Sequence, residues 1–380
     1  MTTGVTRRFT ELRSAYWTRG TAGRATPEAA VVGLYRLWLV ALTLKVLGSS
    51  WDVSWHFRWL RDDFAPPHLL NSVGTVLVVA LVVFHTYTGY GVDQRALRLM
   101  QWGTGIFLVA IPLDVINHRV NGLDITAWSP SHALLYLGTA LMVAGAAVGW
   151  WRAAPLGRPR TALLGAFAFF FLENVLFPNQ HQEYGVLELR SWDAGHPYAE
   201  PSLLAFAANQ IGHPVDRVAV AHFALPVPDW VYPLWGVLAA TLVLVVTRRL
   251  VDRQWAATAV AAGYVGYRCV VWAVLVGAGF PPSTVPFYLL AVGLAVDAVA
   301  LAGLPGAVAP LTGAVVVTGA GYLALAGQAE WIAAPPVSEP SAAATAAVLA
   351  LGWYGAEAWR TRRLRIQRAQ RGFEGCPNPR

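Results

Sequence analysis

Residues 51–90 read WDVSWHFRWLRDDFAPPHLLNSVGTVLVVALVVFHTYTGY. The stretch has two halves of opposite character. Between Trp51 and His68 the chain crowds Asp52, His56, Arg58, Arg61, Asp62, Asp63 and His68 into one turn. From His68 onward it is apolar for about 20 residues, the length an α-helix needs to cross a hydrocarbon core of about 30 Å. A polar knot tied to such a run reads as the head of a transmembrane hairpin.

The rest of the chain bears the same mark. It is 56% hydrophobic and 13% charged, with mean hydropathy +0.46. Soluble domains carry about 25% charged residues, so this composition predicts an all-α, polytopic integral membrane bundle in a lipid bilayer. Ten spans are read at 29–51, 68–91, 97–118, 131–151, 161–178, 227–247, 255–279, 284–303, 305–327 and 340–359. They divide the chain into five parts: an N-terminal segment (1–28), a first membrane region (29–178), a long polar segment (179–226), further membrane helices (227–359) and a basic tail (360–380). The two cysteines, Cys269 and Cys376, fall in a span and in the tail, which is no disulfide framework.

Arginine sets the expected orientation. With these spans, 20 of the 28 basic residues lie on one side, in the N-terminal segment, alternate loops and the tail. The positive-inside rule then places both termini in the cytoplasm and the chain in the plasma membrane. The net charge of +7 is accounted for by contacts with anionic lipid and implies no nucleic-acid partner. The Asp/His turns face outward, as do residues 179–226. Eight of nine histidines fall on or near that face, and only His85 lies well inside a span.

The opening turn has a second copy. PLDVINHRVNGLDITAWSPSHALLYLGT (112–139) matches it: Asp52 pairs with Asp114, His56 with His118, Pro66-Pro67-His68 with Pro130-Ser131-His132, and Asp62 or Asp63 with Asp124. This predicts a duplicated helical hairpin. Residues i and i+4 share a helical face, so each Asp can converge with its His at a helix end. The proline restarts a helix whose first turn returns the second His to the same place. Each hairpin thus offers a carboxylate and two imidazoles, a set used by transition metals. Asp62, Asp63 and Asp124 either orient the imidazoles or are solvated loop charges. A lone Asp-x-x-x-His is equally explained by interface pairing or helix capping; the duplication favours metal.

The first copy resembles the C subunit of the copper membrane monooxygenases, the particulate methane and ammonia monooxygenases. That subunit has Asp-x-Ser-Trp-His, then Arg-Asp, then Phe-Thr-Pro-Ser-His. Here the chain has Asp52-Val53-Ser54-Trp55-His56, Arg61-Asp62 and Phe64-Ala65-Pro66-Pro67-His68. The resemblance implies copper on Asp52, His56 and His68, and extends to Asp114, His118 and His132. It covers about 20 residues per copy, and the spacing between the two histidines differs by one residue, shorter in the first copy and longer in the second. Ten spans exceed that subunit. No cupredoxin-like domain is present, so the resemblance implies further membrane subunits or a homo-oligomer.

Additional ligand candidates lie in FFFLENVLFPNQHQEYG (169–185): Glu173 is polar inside a span, and His181 and Glu183 follow Pro178. Arg268 and Asp297, both intramembrane, are expected to pair with each other; the alternative is a proton or ion pathway, on which they would lie in a transporter. Walker, dinucleotide and CxxCH motifs are missing. Three readings remain at this level: a copper-dependent monooxygenase or a subunit of one, a transporter or metal-handling protein with outward cation sites for copper or another transition metal, and a non-catalytic assembly subunit.

Overall fold

Pro66 and Pro130 each open a helix, where a missing N–H leaves no bond unmade. In this way both polar turns fold back into hairpins. The computed structural model describes residues 16–60, 64–121, 126–305 and 308–374. Among them are twelve helices and no strand. In chain order they are α1 (Glu28–His56), α2 (Pro66–Thr88), α3 (Gln94–Asn121), α4 (Pro130–Ala153), α5 (Arg158–Asp193), α6 (Pro201–Gln210), α7 (Arg217–Ala224), α8 (Val231–Val251), α9 (Ala256–Gly277), α10 (Tyr288–Leu301), α11 (Val308–Trp331) and α12 (Glu339–Glu374). Each of the ten expected spans falls on a helix. Eight helices are long and apolar enough to cross a membrane: α1 to α5, α8, α9 and α11.

The duplication is visible in the packing. α1 lies on α2 and α3 on α4, each pair in intimate contact, while α2 and α3 meet only sparsely. A Cβ at Gly74 would stand 2.7 Å from Ala41 O and 2.9 Å from Lys45 N. A Cβ at Gly138, its partner in the repeat, would stand 2.9 Å from Gly103 O and 2.8 Å from Phe107 N. Ala41 and Gly103, like Lys45 and Phe107, are equivalent when the two copies are aligned on Asp52 and Asp114. Both hairpins therefore close at the same point, where only glycine lets the backbones touch.

α5 joins the two halves of the bundle. It packs on α4 and α1 on one side and on α8 and α9 on the other. The expected end of the fifth span at residue 178 is corrected: the helix runs through Pro178 to Asp193. Its 36 residues extend about 54 Å at 1.5 Å per residue. The sequence Asn179-Gln180-His181-Gln182-Glu183 is buried rather than looped out. Each side chain points in a different direction and finds its own partner. Asn179 donates to Tyr232 O at 3.0 Å, and Gln180 donates to Glu173 Oε1 at 3.0 Å. His181 donates from Nε2 to Phe223 O at 2.8 Å, while Gln182 accepts from Trp128 Nε1 at 3.0 Å. Gly185 allows α7 to close on this helix, since a Cβ there would lie 1.7 Å from Ala224 O.

The expected span at 284–303 is shorter than its apolar run. Residues 278–287 are irregular, and α10 has 14 residues. Ser283, Thr284 and Val285 in that segment are buried. Its backbone is satisfied by protein: Thr284 N donates to Glu183 O at 2.9 Å, and Val285 O accepts from Gln328 Nε2 at 2.9 Å. Irregular backbone survives at such a position only when enclosed in this way.

Candidate metal centre and its chamber

At the C-terminal end of α1, Asp52 and His56 are one turn apart; His68 arrives from the first turn of α2. His68 Nε2 is 2.8 Å from Asp52 Oδ1, His56 Nε2 is 3.3 Å from the same oxygen, and the two Nε2 atoms are 3.3 Å apart. Metal bonds of about 2.0–2.2 Å at tetrahedral to right angles separate donors by roughly 2.9–3.4 Å. One carboxylate oxygen and two imidazole nitrogens thus form a triangle of the right size, and the donor set fits a metal ion. All three donors lie within 4.8 Å of one another. Their side chains are about a quarter exposed, at 22–26%, which leaves room for exogenous ligands.

The second hairpin repeats part of this. His132 Nε2 is 3.7 Å from Asp114 Oδ1, and His132 Nδ1 lies 2.9 Å from Thr126 O. A carbonyl only accepts, so Nδ1 carries a proton and Nε2 is the nitrogen turned to the carboxylate. Two acceptors facing each other across that gap call for a proton or a metal cation between them. His118 is on α3, one turn beyond Asp114, but its side chain lies outside the described part of the structure. Arg61, Asp62, Asp63 and Asp124 lie outside the described residues altogether.

Both hairpins face one cavity of about 610 Å3. Asp52, His56, His68, Asp114 and His132 all line it, as do Glu173 and His181 from α5. Along α1 it reaches from His56 down to Leu42, about 21 Å by helical rise. Val76 of α2 and Leu108 and Ile111 of α3 line the chamber yet are 66%, 43% and 42% exposed. The chamber therefore opens sideways between α2 and α3, where those helices meet only sparsely.

Of the additional ligand candidates, Glu173 and His181 stand on the chamber wall, with Glu173 bonded to Gln180 and His181 Nε2 engaged by Phe223 O. Glu183 does not join them. Its Oε2 is 2.7 Å from Arg268 Nη1, and its Oε1 accepts from Tyr232 at 3.1 Å. The expected Arg268–Asp297 pair is thereby overturned. Asp297 instead lies 3.3 Å from Arg248 Nε and accepts from the amide and hydroxyl of Thr258 at 2.8 and 2.7 Å. Neither buried acid was short of a cation; packing supplied a different one to each.

One lining residue escaped the sequence analysis. Lys45 is 4% exposed and borders the chamber from the middle of α1. Its Nζ donates to Asn71 Oδ1 at 3.1 Å and to Thr75 Oγ1 at 3.0 Å, and it lies 3.8 Å from the Phe107 ring centroid. The signal was available, because Lys45 is the only lysine in a chain with 27 arginines.

Fold and site together define an all-α integral membrane protein with a duplicated hairpin and an Asp-His-His cluster on the wall of a laterally open chamber. No protein-family model, no curated protein and no solved structure matches the chain.

Proposed function

We propose that the protein is a membrane copper protein, built on the same plan as the monooxygenase C subunit, in which Asp52, His56 and His68 hold the metal. The observation carrying this reading is the triangle of donors, 2.8–3.3 Å on a side, on the wall of a chamber. Imidazole with carboxylate and no thiolate suits copper, and the resemblance around Asp52–His68 points the same way. When bound, copper supplies redox chemistry toward dioxygen. The chain's own groups do the rest. Asp52 holds both imidazoles in register, the apolar walls exclude water, and the lateral opening admits a small substrate. The arginine distribution sets both termini in the cytoplasm and the cluster on the outer face.

A second reading is cation handling. It is favoured by the Asp114–His132 pair, which lines the same chamber and offers a second stop along one path.

Elemental analysis and electron paramagnetic resonance separate these readings. The full-length protein, purified from copper-replete membranes, is expected to hold stoichiometric copper with nitrogen hyperfine structure in its spectrum. Asp52→Ala, His56→Ala and His68→Ala are each expected to lose it, while His85→Ala keeps it. His85 is buried against Trp38 and Tyr90, away from the chamber. Exchangeable zinc or manganese in place of copper favours cation handling. No metal in the parent, or unchanged copper in all three ligand variants, overturns the site.

A further inference from the structure

The two hairpins are copies, yet their chamber-facing residues have diverged in one direction. The first copy has Lys45, Ser49 and Asn71 where the second has Phe107, Ile111 and Leu135. The first three are linked: Lys45 donates to Asn71, and Asn71 Nδ2 donates to Ser49 Oγ at 2.9 Å. The second three are apolar and line the opposite wall. Because the second hairpin closes at the equivalent glycine without any of these polar groups, the fold does not require them.

Lys45 is the centre of the polar wall. An ammonium has three donors; here two meet neutral oxygens and the third side faces an aromatic ring. Among the described residues, no carboxylate lies within ion-pair distance of it. Neutral groups solvate a charge without cancelling it, and an uncompensated cation in an apolar interior is expensive. Elsewhere in the bundle, buried Arg268 is paired with Glu183 and Asp297 with Arg248, while buried Glu173 and Glu188 accept from Gln180 and from backbone amides. Lys45 has the chamber instead.

We propose that the chamber binds a lipid-soluble anion, a single-chain carboxylate of the fatty-acid class, with its head on Lys45 and its chain along Phe107, Ile111 and Leu108 toward the opening between α2 and α3. One positive charge matches one carboxylate, and a ring face is a weak substitute for it. Val76, Leu108 and Ile111 place an apolar threshold between chamber and lipid, the route for a molecule already dissolved in the bilayer. The volume of about 610 Å3 lies in the range that encloses a ligand of modest size. The site goes beyond the metal reading: Lys45 is seven residues from Asp52, about 10 Å along the helix, and needs no metal to act.

The test is equilibrium binding of radiolabelled decanoate to the full-length protein in nanodiscs of neutral lipid. Competitors are decanol, which has the same chain and no charge, and phosphatidylglycerol, which tests a lipid headgroup as the source of the anion. Saturable decanoate binding is expected, with little competition from decanol. Lys45→Met should weaken it by about 10–100-fold, the loss of one charge-assisted bond. His85→Ala, away from the chamber, should leave it within about twofold. Absence of saturable binding overturns the proposal. So does equal competition by decanol, which is read in the unaltered protein whether or not the variants fold. Loss in His68→Ala with retention in Lys45→Met would place the head on the metal cluster and also overturn it. Displacement of labelled decanoate by phosphatidylglycerol at lower concentration than by unlabelled decanoate would assign the charge to a phospholipid and reject the fatty-acid carboxylate.

Discussion

Removing the carboxylate of Glu183 tests how the two halves of the bundle are joined. Glu183 and Arg268 are each 2% exposed, and their charged atoms lie 2.7 Å apart. At an effective dielectric of 20, two unit charges about 4 Å apart attract by about 4 kcal/mol. Leaving one member of a buried pair without the other costs about 3–5 kcal/mol, and the two estimates agree. Asp297 is held by Arg248 and Thr258, and Glu173, the other described carboxylate near Arg268, is bonded to Gln180 and makes no ion pair with the guanidinium. Glu183→Leu is therefore expected to destabilise the protein by about 3–5 kcal/mol. Adding Arg268→Met should recover much of that loss, since a pair replaced by apolar groups of similar volume is often close to neutral. Equilibrium unfolding in mixed detergent micelles, run as a double-mutant cycle, measures both quantities. A loss below about 1 kcal/mol for Glu183→Leu, or a double variant no more stable than Glu183→Leu alone, would refute the pairing.

Gly74→Ala and Gly138→Ala should each destabilise their hairpin by about 1–3 kcal/mol, because the new Cβ meets backbone rather than a movable side chain. Gly33→Ala has nothing within 4 Å and should be neutral or stabilising by up to about 1 kcal/mol in the same unfolding assay. Asp216 caps α7, and the amide of Ala219, with His213 and the amide of Val218, holds its carboxyl below the usual aspartate range. A lowered acid contributes stability that is present above its unfolded pKa and is lost as pH falls through the folded one. Hydrogen exchange at Val218 and Ala219 should therefore accelerate only below the ordinary aspartate range, and Asp216→Ala should remove that pH dependence. For orientation, in a background lacking Cys269 and Cys376, cysteines at Ser191 and Arg371 should label from opposite sides of the membrane. Labelling from one side rejects the outward placement of the cluster.

Local spacing carried much of the fold and the first site. A run of apolar residues needs no knowledge of its neighbours to predict a membrane helix, because the bilayer is the same partner everywhere. The i, i+4 relation of Asp52 and His56 and the nearby Pro-x-His also act within one hairpin, so their convergence with His68 was legible. Gly74 and Gly138 align in the same repeat, but that the backbones touch at them is shown only by the packing. What the sequence left open depended on which helices touch. Pro178 and the polar residues after it read as the end of a span. Only the surrounding carbonyls of Tyr232 and Phe223, with Trp128, make a buried helix of Asn179–Glu183 affordable. Arg268 and Asp297 were each other's nearest intramembrane charges in sequence, but tertiary packing gave one to Glu183 and the other to Arg248. The single lysine was in plain view in the sequence. That it faces a chamber shared by two hairpins, with Phe107 of the second copy against its charge, is a relation between distant segments that no local pattern encodes.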